Sequence, residues 1–261
     1  MKKLAILLLS IILCSCAHQV SIRNIASEKL PVCLEKPTEA LRVGEKLVYT
    51  LRWLNISSGN ITLEIKELTQ INNRPVYHII ATANPSGLIK FFYNTEYIVH
   101  SYIDAAELRP VRFYKSRRTK DNNLTEEELQ FSPEGNSAEW KTTKKKKKKL
   151  VVTGDVQDLL SAIYSFRAKD IVSGKNYPIK VIYNGKIWNA DVTLENIHSV
   201  VISQLGNFDA VKAIFRTDLN MRVTGFNDAE IYLTVDKRRL PVFFRIRTKI
   251  GYIYGLLSSY K

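Results

Sequence analysis

Apolar side chains fall at every second position in one segment after another of this chain. That period of two limits its fold more than any other feature. In KLVYTLRWL, Leu47, Tyr49, Leu51 and Trp53 share one parity. In ITLEIK, Ile61, Leu63 and Ile65 alternate with Thr62, Glu64 and Lys66. Such alternation gives an extended strand one apolar and one polar face. NISSGN lies between the two segments and supplies turn residues, so the pair reads as a β-hairpin. RPVYHIIATA, FFYNTEYIVHSYID, LRPVRFYKSRR and EELQFS continue the series. NYPIKVIYNGKIWNADVTLE carries Asn184-Gly185, a strong two-residue hairpin turn. SVVISQ, DAVKAIFRTD, NMRVTG and AEIYLTVDKRRLPVFFRIRTKIG complete it. About ten to twelve strands are expected.

One segment breaks the period. In GDVQDLLSAIYSFRAKD, Val156, Leu159, Leu160 and Ile163 follow helical spacing, with Asp155 as N-cap and Asp158 near the positive helix end. An amphipathic helix near 155–169 is expected, lying on or plugging a curved sheet. Antiparallel strands in this number must close their edges into a barrel or pack as two layers. The expected fold is therefore mainly β: a strongly curved antiparallel sheet or barrel-like domain packed on one amphipathic helix.

The chain opens MKKLAILLLSIILCSC. Lys2 and Lys3 precede an apolar run, Leu4 to Leu13, that is too short to cross a hydrocarbon core of ~30 Å. It reads as the core of a signal peptide. LCSC resembles the lipobox of bacterial lipoproteins, with Leu13, Ser15 and Cys16 in register. The resemblance implies cleavage after Ser15 and lipidation of Cys16. Two or three acyl chains anchor firmly where one is marginal. Ala17, in place of an Asp, leans to the outer membrane, so a periplasm-facing outer-membrane lipoprotein is expected. The expected organisation is a signal peptide over 1–15, a lipidated flexible tether over 16–42 and one β-rich domain over 43–261. Only Cys33 would remain as a free thiol, which leaves no internal disulfide.

The net charge is +14, from 39 Lys and Arg against 25 Asp and Glu. Six consecutive lysines, Lys144, Lys145, Lys146, Lys147, Lys148 and Lys149, stand out. They lack interleaved aromatic residues on which bases stack, and an exported protein meets lipid and wall polymers rather than nucleic acid. A solvated strand end or hairpin tip accounts for the run, and contact with an anionic surface is the functional alternative. In DKRRLPVFFRIRTKI, Arg245, Arg247 and Lys249 share one parity, which makes a candidate basic face for an anionic lipid or glycan.

Four blocks in order, GEKLVYTLRWLNISSGNITLEI, LRPVRFYKS, DLLSAIYSFR and DKRRLPVFFRIRTKIGYIYGLL, resemble the domain of unknown function 3108 family. The resemblance spans about Val43 to Leu257. It implies an exported β-rich bacterial protein and carries no catalytic residues. The lysine run falls between blocks.

No catalytic motif is legible. The four histidines show no metal-ligand spacing, there is no G-x-S-x-G elbow, and glycine-rich nucleotide loops are lacking. No metal and no cofactor are expected. Asp104, Glu107, Asp209 and Asp236 are possible members of a glycosidase-like carboxylate pair, and none stands out. The leading expectation is a non-catalytic, lipid-anchored envelope protein. Its curved sheet would bind an apolar or anionic envelope lipid, glycan or protein partner in its concavity. The alternatives are an envelope hydrolase with a carboxylate pair and an assembly factor without a small ligand.

Overall fold

The computed structural model describes residues 20–24, 34–54, 56–87, 90, 94–217 and 226–261. In chain order the strands are β1 (Val20–Asn24), β2 (Lys46–Trp53), β3 (Ile56–Ile71), β4 (Arg74–Pro85), β5 (Thr95–Asp104), β6 (Pro110–Thr119), β7 (Leu124–Phe131) and β8 (Ser137–Thr142). They continue as β9 (Lys145–Val151), β10 (Val156–Gln157), β11 (Asn176–Tyr183), β12 (Lys186–Ile202), β13 (Gly206–Thr217), β14 (Phe226–Thr234), β15 (Pro241–Thr248) and β16 (Tyr252–Tyr260). The helix α1 (Leu159–Ala168) sits between β10 and β11. Among the described residues these sixteen strands make one sheet, more than the ten to twelve expected. Long apolar stretches such as AEIYLTVDKRRLPVFFRIRTKIG hide a hairpin that alternation alone does not divide.

Successive strands are neighbours from β2 through β9 and from β10 through β16, and β16 pairs with β2. Among the described residues only β10 with β11 is parallel. The meander thus runs almost full circle, with its one opening between β9 and β10. Bulges at Ile65/Glu67 in β3 and at Leu194/Ile197 in β12 bend the two longest strands and help the sheet coil. Asn184 and Gly185 take φ of 51° and 69°, the left-handed pair that a two-residue hairpin needs. The β2–β3 reversal is tighter than NISSGN suggests: it falls between Trp53 and Ile56, and Ser57 to Asn60 belong to β3.

The helix occupies the inside of the curl. Leu160 and Tyr164 pack with Ile65, Ile79 and Ile103 of β3, β4 and β5. Ala162 and Phe166 pack with Ile179, Val192, Val211, Ala213 and Leu233 of β11 to β14. Burying a side chain such as Phe166 contributes about 1.5–3 kcal/mol. Seven of the ten helical residues are buried, so of the two placements expected, on the sheet or plugging it, α1 takes the second. Its N-cap is Asp158 rather than Asp155, because Val156 and Gln157 pair with β11 as β10. A third apolar cluster bridges the opening: Phe113, Leu129, Trp140 and Leu150 meet Val156 and Ile182.

Residues expected to form a tether are partly docked. The strand β1 pairs with β12, from Val20 opposite Ile202 to Asn24 opposite His198. Further on, Leu34 is buried, the Glu35 N–H donates to the Val235 carbonyl, and Glu39 pairs with Lys237 at 2.5 Å. Polar composition disguised these segments, since their hold on the domain is largely backbone hydrogen bonding.

Both ends of α1 are fixed by buried polar contacts. Arg167 makes a two-pronged pair with Glu45, each arm 2.7 Å, and donates to the carbonyls of Arg239 and Arg238 at 3.0 and 3.2 Å. At the other end Asp158 accepts from the Leu160 and Ser161 amides at 2.8 and 2.9 Å and from the Ser101 hydroxyl at 2.7 Å. Removing one partner of a buried ion pair strands the other charge. Glu45→Ala is expected to cost about 3–5 kcal/mol in urea denaturation. The double change Glu45→Leu with Arg167→Met should recover much of that loss. A Glu45→Ala protein as stable as the wild type would remove the clamp from this account.

Burial pushes the Asp158 carboxyl up to about 6 from 3.8, against the hydrogen bonds that favour its ionised form. Between these values the folded chain holds more protons than the unfolded one, so stability from this group falls as pH rises from about 4 to about 6. The Asp158 contribution to that fall is roughly 3 kcal/mol. Asp158→Asn should flatten it in denaturation midpoints taken across that window, while leaving the slope outside the window unchanged.

Candidate functional site: a cationic rim

The turns of the meander separate into two ends. Reversals 120–123, 143–144, 184–185 and 249–251 lie together at one end, because β6, β8, β11 and β15 all run toward it. The side chains there are strongly basic. Arg118, Lys120, Lys144 to Lys149, Lys186, Arg216, Arg247 and Lys249 are exposed, against Glu96, Asp121 and Asp191. The two basic sets singled out in the sequence, a hundred residues apart in the chain, therefore share one rim.

Their individual environments differ from expectation. Lys145 to Lys149 form most of β9, the free edge of the sheet, and Lys144 lies in the turn before it. Lysines on an edge discourage pairing with another chain. Lys147 pairs with Glu139 at 2.5 Å, Lys148 donates to the Gly185 carbonyl at 2.9 Å, and Lys145 lies 5.7 Å from the Trp140 ring centroid. The three-cation face on β15 is not formed as a free surface. Arg245 donates to Glu230 at 2.6 Å and lies over the Tyr252 ring, so its charge is compensated within the sheet. Arg247 and Lys249 are exposed, and Lys249 stands beyond the end of β15. Cys16 and Cys33 lie outside the described residues.

Behind the rim, inward-facing polar residues replace the apolar core. Lys115 pairs with the buried Glu127, which also accepts from the Trp140 indole N–H at 2.7 Å, and Lys115 lies over the Tyr183 ring. These contacts join β6, β7 and β8 to the β11–β12 hairpin across the opening. Sequence reading missed them. The available signal was parity: Lys115 and Arg117 lie on the same face of β6 as the buried Phe113.

The other chemical candidates do not converge. His78 bonds Glu67 at 3.2 Å through Nδ1 and His100 at 2.9 Å through Nε2. The two ring centroids are 5.2 Å apart and the planes 22° apart, so the rings meet edge to edge. One shared proton fits that line, whereas two zinc–nitrogen bonds of ~2.0–2.1 Å do not. Burial and the neighbouring His78 and Lys66 hold the His100 ring below its usual range. Among the described residues no group of three or more His, Cys, Asp or Glu could hold a metal ion. Asp104 accepts from the Ala106 and Glu107 amides, and Asp236 is held by Arg238 and Thr234. Glu107 sits 3.7 Å from Arg109. A hollow of about 300 Å³ opens at the end opposite the rim, between Arg74, Asp104, Arg109 and Glu134, with both signs of charge on its walls.

The architecture defines a curled, barrel-like β-protein with a helix for its centre. The crystal structure of a β-barrel-like protein of domain of unknown function DUF1849 from Brucella abortus is similar to it. The TM-score is 0.52 at 11% identity, covering 84% of this chain and 97% of that one. At that identity the likeness is one of fold. No curated protein matches the chain. The family model described as protein of unknown function (DUF3108) matches residues 47–257, and the chain belongs to that family.

The opening beside the rim depends on a close approach at Gly185. Its φ is +69°, and a Cβ there would lie 2.6 Å from Trp140 Cδ2. Gly185→Ala is expected to destabilise by about 1–3 kcal/mol and to speed amide exchange in β8 and β9 ahead of β3 and β4. Uniform exchange across all four strands would contradict this role.

Proposed function

We propose that this chain is a non-catalytic, lipid-anchored envelope protein that engages an anionic envelope ligand through its cationic rim. The observation that carries the reading is that few exposed carboxylates accompany the lysines and arginines of the rim, whereas Arg42, Lys46, Arg74, Arg109, Lys175 and Lys237 at the other end are interleaved with exposed Glu35, Glu107 and Glu134. The inside of the curl holds α1, so the ligand meets the rim and not a deep apolar concavity. The lipobox ending at Cys16 supports export and anchoring in the outer membrane. Attraction through such a rim depends on ionic strength, since exposed charges are screened beyond roughly 8–10 Å at physiological salt.

The docking of β1 favours a direction. Val20 pairs with Ile202, at the end of β12 opposite the rim, and Lys186 at the rim is the other end of β12. Sixteen residue steps of strand separate them, on the order of 50 Å along the chain. Cys16 precedes Val20 by four residues, a reach of at most about 14 Å. The acyl chains would thus enter the membrane near the end away from the rim, and the rim would face away from that membrane. Its ligand is then a wall polymer, a facing surface or an acidic partner.

Labelled palmitate should appear on the wild type and be lost, with membrane fractionation, in Cys16→Ala. In vesicles containing brominated lipid, a fluorophore at Ser203 should be quenched and one at Lys144 should not. Equal quenching at both positions would overturn the direction, and palmitate on the Cys16→Ala protein would overturn the anchor.

A further inference from the structure

Exposed apolar side chains gather at one point of the rim. The reversal between Trp53 and Ile56 lies beside the reversal that follows β15, because β16 pairs with β2. Leu54 and Ile250 are 52% and 62% exposed there, and Ile56 and Tyr252 beside them are exposed as well. Single exposed aliphatics are ordinary on a surface, whereas a contiguous group marks a contact. The Trp53 indole N–H donates to the Ile250 carbonyl at 2.8 Å, which joins the two tips. A Cβ at Gly251 would lie 2.8 Å from Leu54 Cδ2, so the leucine rests on the backbone of the neighbouring tip. The Thr248 N–H and hydroxyl both donate to the Gly251 carbonyl at 3.0 Å and hold that turn.

Leu54 is also in an unfavourable conformation. Its φ is +50°, in the left-handed region that asparagine and glycine adopt readily and leucine does not. It takes the first of the two loop positions between the paired Trp53 and Ile56, where a hairpin prefers Asn, Asp or Gly. Neither the strain nor the exposed apolar surface serves the fold. A contact outside the domain accounts for both.

The charge around the tips selects the partner. No Asp or Glu occurs from Lys46 to Leu63 or from Lys237 to Lys261, so β2, β15 and β16 carry no carboxylate. Arg247 and Lys249 are exposed and make no ion pair among the described residues. Asp228, in the β14 bulge opposite Arg247, is half-buried. Aliphatic tips flanked by cations, with a tyrosine between, fit the boundary of a bilayer with anionic headgroups. A polar wall polymer would meet the cations and leave Leu54 and Ile250 in water.

We propose that the adjacent β2–β3 and β15–β16 tips form a docking point that inserts Leu54 and Ile250 into an anionic phospholipid bilayer. The docking point deepens the rim reading. It rests on that reading for which membrane is met, the one facing the anchor, and on the two tips alone for the contact.

The test anchors the mature lipidated chain in sucrose-loaded phosphatidylcholine vesicles, adds unloaded phosphatidylglycerol vesicles and sediments the mixture. The phosphatidylglycerol vesicles should sediment with the loaded ones, and phosphatidylcholine vesicles in their place should stay in the supernatant. Leu54→Asn with Ile250→Ser should weaken this docking about tenfold or more. Arg247→Gln and Lys249→Gln should each weaken it about fivefold at low salt. Asparagine suits the left-handed position, so Leu54→Asn alone should raise the urea midpoint while weakening docking, which separates lost contact from lost fold. A fluorophore at Ser57, with brominated phosphatidylglycerol in the anchoring vesicles, is the second arm. Neither cosedimentation nor quenching would overturn the docking point, as would cosedimentation unchanged in the Leu54→Asn, Ile250→Ser protein. Quenching without cosedimentation would support the docking point and overturn the direction given to the rim.

Discussion

The structure depends on one insertion: a ten-residue helix fills the inside of a curled sheet and is held at both ends by buried polar contacts. The opening between β9 and β10 follows from it. The chain leaves the sheet after β9, takes two residues of parallel pairing as β10, and turns inward as α1. There β9 and β10 share no ladder. Side chains close the gap instead, with Trp140 on Gly185 and Lys148 on the Gly185 carbonyl.

That arrangement moves any binding function outward. Leu160, Tyr164, Ala162 and Phe166 take up the apolar surface that an open curl would offer a lipid. The charged groups near the core are spent on structure: Glu45 and Arg167 on each other, Asp158 on the helix N-terminus. The rim keeps the exposed lysines and arginines that few carboxylates accompany. The edge lysines of β9 serve two physical ends at once, since the same charges that discourage strand pairing raise the local potential for anions.

Much of the fold was legible because alternation is local. Leu47, Tyr49, Leu51 and Trp53 announce a strand whatever lies beside them, and Asn184-Gly185 announces its turn. The helix was found for the same reason, but its N-cap was misplaced. Asp155 loses that role to Asp158 because β11 claims Val156 and Gln157. The site was less legible. Arg245 looked free because Glu230, on the neighbouring strand, is its partner only once β14 and β15 pair. Nothing in KSRR singles out Lys115, and its inward aim toward Glu127 follows from the parity of Phe113.

The sequence by itself determined a β-rich chain with one helix, membership of the DUF3108 family and a strongly positive charge. Each of these is written in neighbouring residues. Tertiary structure decided that β16 joins β2, that the opening falls beside the lysine strand, and that the turns at Lys144 and Lys249 open on the same end of the sheet. The reason is the direction of strands: in a meander every second turn lies at the same end, and only completed pairing shows which charges those turns bring together.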